Sequence, residues 1–187
     1  EYMGLNATTA GSDRFTTFTE WHTVVHAHEA QYASLSMIVN GVFERYPKLR
    51  CAYMEAGCGW LPSWLHRIDE HLELAGAQEF PDLSMSATDY FRRNCWISTE
   101  CDDPFVADVI RWLGDDHIVF ETDFPHPDSK YPHATDHFFD LSPGEISEES
   151  KRKILWDNAV DLYRFPPSYL PETFVEAPAT LATGAQA

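Results

Sequence analysis

Phe120-Glu121-Thr122-Asp123-Phe124-Pro125-His126-Pro127-Asp128 is the stretch on which the reading of this chain turns. An apolar run from His117 to Phe120 stops at acidic residues, and a proline-broken loop carrying a histidine and a further aspartate follows. A strand that delivers a carboxylate at its C-terminal end, beside a histidine, is how parallel α/β barrels place metal-binding and acid–base groups. Asp and Pro are also ordinary turn residues, so spacing alone leaves a functional and a purely structural reading of Asp123 open.

Upstream, the pattern repeats. Leu49 to Met54 reads as a short buried strand, and Glu55-Ala56-Gly57-Cys58-Gly59-Trp60 is a glycine-bearing turn at its end. Pro62 suits the first turn of a helix running to about Leu74, with Trp64, Leu65, Ile68 and Leu72 on one face. A loop over 76–86 precedes a second strand, Cys95 to Ser98, and Asp102 or Asp103 is placed to cap a helix from Phe105 to Leu113. His117 to Glu121 is the third strand; a short helix from Asp136 to Leu141 and a long one from Glu148 to Tyr163, capped by Ser147, follow. Before the first strand, apolar residues from Glu29 to Tyr46 recur at helical spacing and stop at Pro47.

Helices alternating with short apolar strands predict an α/β fold with a parallel sheet. Three strands are too few for a closed eight-stranded barrel, which needs at least about 200 residues. They suit a small open sheet, or three βα units of a distorted (β/α)8 TIM barrel whose other units lie elsewhere. Residues 1–165 are taken as that barrel portion, with 1–26 an irregular loop, and the Pro/Ala-rich tail 166–187 as an irregular or docking extension. Glu1 is not an initiator methionine, and the chain reads as the C-terminal piece of something longer.

The 187 residues carry a net charge of −17. That field argues against nucleic acid and against an anionic membrane surface as partners, and no apolar span is long enough to cross a bilayer. The cysteines at 51, 58, 95 and 101 form no Cys-x-x-Cys pair. Cys51 and Cys95 lie in apolar runs, which points to buried thiols and a reducing, cytoplasmic setting.

An ordered set of motifs resembles the amidohydrolase-2 family, metal-dependent TIM barrels that include aminocarboxymuconate-semialdehyde and γ-resorcylate decarboxylases. The motifs are Gly41-Val42-Phe43-Glu44-Arg45-Tyr46-Pro47-Lys48-Leu49-Arg50, Met54-Glu55-Ala56-Gly57-Cys58-Gly59-Trp60-Leu61-Pro62 and Arg67-Ile68-Asp69-Glu70-His71. Tyr90-Phe91-Arg92-Arg93, Thr122 to Asp128, and Lys153-Ile154-Leu155-Trp156-Asp157-Asn158-Ala159 with Leu162-Tyr163 complete it. The resemblance covers about Ala27 to Phe165 and implies that the three strands are the sixth, seventh and eighth of the barrel.

It further implies that Asp123 ligates a divalent metal, zinc before manganese, and acts as proton acceptor. Glu55 stands where the decarboxylases present a histidine, and is the second catalytic candidate. His126 and Trp60 are candidate contacts to a small-molecule substrate, and a homodimer is implied. The expected reaction is hydrolysis of a C–N or C–O bond, or non-oxidative decarboxylation of a small unsaturated or aromatic acid. The alternative is a non-catalytic partial barrel or subunit that needs a missing N-terminal half. His26-Ala27-His28 has ligand spacing, but a single helix separates it from the sixth-strand motif, so both histidines, with His22, are assigned to the entrance of that helix. Arg45, Arg50 and Arg67 are left between ion pairs and substrate binding, and Asp157 and Asn158 are given a structural role.

Overall fold

In the computed structural model, residues 10–127, 129–140 and 146–166 are described. The expected tail lies, beyond Pro166, outside them, as do Asp128 and Leu141. Three strands are found among the described residues, β1 (Cys51–Tyr53), β2 (Cys95–Thr99) and β3 (Ile118–Phe120), the first and third shorter than expected and the second longer by one residue. They form one parallel sheet in the order β1-β2-β3, with Cys51 opposite Cys95, Tyr53 opposite Ile97, and Thr99 opposite Phe120. Sequential order with a helical connection at each step is what a singly wound barrel segment requires. All five residues of β2 are buried, as a central parallel strand demands.

The first helix corrects the expected boundaries. α1 spans Phe18–Val39, so the segment 18–26 is helical and not an irregular loop. The Thr17 side chain accepts the Glu20 N–H, and the Glu20 carboxylate accepts the Thr17 N–H at 3.0 Å. That reciprocal capping box, written in the sequence as Thr-x-x-Glu, starts the helix there. His26 and His28 therefore lie within α1, not at its entrance. At the other end Asn40 and a left-handed Gly41 (φ 66°) break the expected single helix, and α2 (Val42–Arg45) follows as a separate turn.

α3 (Leu61–His71) carries Pro62 in its first turn and continues through a π turn, Leu72–Gly76, into the short α4 (Ala77–Glu79). A further helix, α5 (Ala87–Asn94), occupies a segment for which no element was expected. Ser86 caps it by accepting the Asp89 N–H at 3.0 Å, and Ala87, Tyr90, Phe91 and Asn94 form its buried face. Asp69 fixes α5 to α3, its two carboxylate oxygens accepting the Ala87 N–H and the Thr88 hydroxyl at 2.5 Å each. α6 (Val106–Leu113) links β2 to β3. Beyond β3 come α7 (Ala134–Asp140), α8 (Glu148–Arg152) capped by Ser147, a π turn over Lys153–Asp157, and α9 (Asn158–Tyr163).

The core lies between the strands and these helices, built on Phe43, Leu65, Phe91, Ile97, Val109 and Ile118, each fully buried. Asn158 ties the last helix to β3, donating to the carbonyls of Asp115 (2.6 Å) and Ile118 (2.7 Å). Asp157 pairs with Arg152 at 2.8 Å, so both motif residues act structurally, as expected. Arg50 bonds Asp161 and lies 5.0 Å over the Trp96 ring, while Arg45 donates to the Asn40 carbonyl at 2.7 Å.

Candidate active site

The C-terminal ends of the three strands converge. After β1 the chain turns at Glu55 and after β3 at Asp123, and both non-glycine residues take left-handed backbone angles, φ 55° and 56°. Such angles cost about 1–3 kcal/mol and persist where surrounding bonds over-determine them. At Glu55 those bonds are visible: its N–H lies 2.9 Å from one Glu121 carboxylate oxygen and 3.1 Å from Ser98 Oγ. The Ser98 hydroxyl in turn donates to Glu121 at 2.6 Å. One serine from β2 and one glutamate from the end of β3 thus lock the turn after β1. Burial pushes the Glu121 carboxyl up from its ordinary value, against the lowering effect of those two donors; the nearby Glu55 and Asp123 charges push it further up.

The rest of the β1 turn is fixed from the β2 side. Asp103 accepts the N–H groups of Cys58 and Phe105, each at 2.9 Å, so it braces the entry to α6 without serving as that helix's cap. Gly59 is required because a Cβ there would meet the Phe105 ring at 2.7 Å. After β3, the His126 ring nitrogen Nδ1 stands 3.1 Å from Asp123 Oδ2, and the His126 N–H donates to the Asp123 carbonyl at 2.9 Å. The Asp123 side chain is 17% exposed and that of His126 46%, so the pair faces the open side of the loop.

These residues line a cleft of roughly 840 Å³ with Glu55, Glu100, Asp123 and His126 on one side. The other side is α1, presenting Phe18, His22, Thr23, His26 and Ala27. The structure therefore brings together three of the four expected site residues. Trp60 is not among the described residues lining the cleft; it packs against the hydrophobic core with its indole N–H buried. The sequence reading missed Ser98 and Glu121, and it set His22 and His26 aside. A serine inside an otherwise apolar strand, and a glutamate one residue beyond β3, were the available signals.

Asp123 and His126 stand side by side as two groups of metal-ligating type. Among the described residues no group of three or more His, Cys, Asp or Glu side chains is arranged to hold one, short of the three or four protein ligands usual for a closed or catalytic site. The described residues therefore offer part of a metal site and do not complete one.

A parallel βα segment that gathers carboxylates and a histidine at its strand ends has the layout in which α/β barrels place their sites. The chain belongs to the amidohydrolase family, whose pattern, described as Amidohydrolase, its residues 16–165 match. It is 32% identical over 145 residues to the γ-resorcylate decarboxylase of Polaromonas sp. strain JS666, an alignment covering 76% of this chain and 40% of that protein. Among solved structures it is similar to the dihydroxybenzoic acid decarboxylase of Polaromonas sp. JS666, which holds manganese and the inhibitor 2-nitroresorcinol. That match has 30% identity and a TM-score of 0.60, over 74% of this chain and 40% of the other. An amidohydrolase of Mycobacterium avium subsp. paratuberculosis K-10 aligns at 29% identity and TM-score 0.62, covering 77% of this chain and 35% of its own. The chain thus spans about 40% of the length of the first of these relatives, and its fold is the corresponding part of their α/β barrel.

Proposed function

We propose that this chain supplies the strand-end half of the active site of a metal-dependent, non-oxidative decarboxylase of a small hydroxylated aromatic acid. The observation that carries the reading is the convergence of Glu55, Asp123 and His126 on one cleft at the C-terminal ends of parallel strands. The similarity to γ-resorcylate decarboxylases supports decarboxylation over hydrolysis. In this reaction the bond from the ring carbon to the carboxylate breaks, CO2 leaves, and that carbon takes up a proton. Glu55 is assigned as the proton donor, held at the cleft by the Ser98–Glu121 bonds to its backbone. His126 orients Asp123 and contacts the substrate. Trp60, packed away from the cleft, is not carried into this assignment.

A divalent cation belongs to the reading, with Asp123 as one ligand. Manganese is the first metal to test because a relative holds it, and zinc the second. The four thiols are free, which suits a reducing compartment, and the reading extends to a cytoplasmic homodimer. The test is CO2 release from γ-resorcylate by the full-length protein with each metal, beside ammonia release from simple amides. Decarboxylation with a kcat that Glu55→Gln lowers far more than it lowers the melting temperature supports the assignment. Amide hydrolysis without CO2 release refutes it.

A further inference from the structure

The α1 wall of the cleft has no assigned role. Phe18, His22 and His26 stand four residues apart on one helix face, which spaces them about 6 Å apart along the axis. The Phe18 and His22 rings stack at 4.6 Å and 25°, and the His22 and His26 rings follow at 5.0 Å. Thr23 and Ala27 lie beside them in the cleft. His28, by contrast, turns its Nδ1 back onto the Val24 carbonyl at 2.8 Å within the helix. The stripe is thus a continuous run of rings, no more than about 10 Å from the first centroid to the last, with the His26 ring tilted 57° to that of His22, and it shares the cleft with the carboxylates of Glu55, Glu100 and Asp123.

An aromatic acid entering this cleft meets two needs. Its ring requires an apolar or π face, and its anionic oxygens require donors on a side away from those carboxylates. His126 is already engaged with Asp123 through Nδ1. His22 and His26 offer ring N–H donors on the opposite wall, next to the stacked Phe18 face. We propose that Phe18, His22 and His26 form the substrate-recognition wall of the site, Phe18 and His22 stacking on an aromatic acid and the two imidazoles donating to its phenolic or carboxylate oxygens. The inference rests on the aromatic-acid reading above and adds the residues that select the ligand.

The experiment is a calorimetric titration of the full-length, manganese-loaded protein with 2-nitroresorcinol. Phe18→Ala is expected to raise the Kd about fivefold, the size of one aromatic stack. His22→Ala and His26→Ala are each expected to raise it about tenfold, the loss of a hydrogen bond to a charged group. Tyr32→Ala, on an exposed part of α1 outside the cleft lining, is expected to leave it unchanged. Histidine labelling of the unmutated protein by diethyl pyrocarbonate gives a readout that does not depend on variants folding. The ligand should protect His22 and His26 and leave the exposed His66 and His133 reactive. Binding within twofold of the unmutated protein in all three variants, or labelling of His22 and His26 that ligand does not slow, overturns the wall while the decarboxylase reading stands. Failure of the unmutated, metal-loaded protein to bind 2-nitroresorcinol overturns both.

Discussion

Replacing Ser98 by alanine removes one oxygen atom from a fully buried position and so tests the bonds that lock the turn after β1. The lost bond is the hydroxyl donated to Glu121 at 2.6 Å, together with the acceptor for the Glu55 N–H at 3.1 Å. A hydrogen bond to a charged group contributes about 1.5–3 kcal/mol to stability. Glu121 is half-buried and keeps the Glu55 N–H at 2.9 Å, which places the cost near the lower end, at about 2 kcal/mol at pH 8. The cost should depend on pH. Burial already raises the Glu121 carboxyl above its ordinary value of 4.5, so near pH 4.5 more than half of the folded protein holds it protonated. There the missing bond is a neutral one, and the penalty should fall to about 1 kcal/mol or less. Urea unfolding followed by tryptophan fluorescence at the two pH values measures both numbers. A penalty below about 0.5 kcal/mol at pH 8, well under that of a bond to a charged group, would refute the reasoning. So would an equal penalty at both pH values.

Three further outcomes follow from the same structure. Because the folded-state Glu121 carboxyl is raised, its contribution to stability is fully present below about pH 4.5 and is lost as pH rises through its folded value. Glu121→Gln should therefore gain stability relative to the unmutated protein between pH 4.5 and 8, which paired pH-dependent melts would show. Asn158→Ala strands the buried Ile118 carbonyl and frees the partly buried Asp115 carbonyl, and should cost about 1–3 kcal/mol by urea unfolding. Gly59→Ala drives a Cβ to 2.7 Å from the Phe105 ring, and should cost about 1–3 kcal/mol of overpacking strain, read as a lowered melting temperature.

Much of the frame was legible because the signals were local. Three apolar runs separated by amphipathic helices specify a parallel βα segment, and Asp123, His126 and Glu55 sit at strand ends where sequence order alone puts them. What escaped was of two kinds. α5 and the start of α1 were written in capping patterns, Ser86 with Asp89 and Thr17 with Glu20, that weighed less in the reading than the polar composition around them. The second kind is tertiary. Nothing near Ser98 indicates that its hydroxyl will meet Glu121 and the Glu55 backbone, since it lies in β2 and they lie just beyond β3 and β1. Likewise His22 and His26 read as helix-face residues until α1 is seen to lie against the strand ends. Trp60, a candidate substrate contact by sequence, packs against the hydrophobic core.

The most direct measurement is metal content and CO2 release from γ-resorcylate for Asp123→Ala in the full-length protein, alongside its melting curve. The account predicts that turnover and bound metal both fall to background while the melting temperature holds within a few degrees. A variant that keeps its metal and its turnover would contradict the placement of the active site at these strand ends.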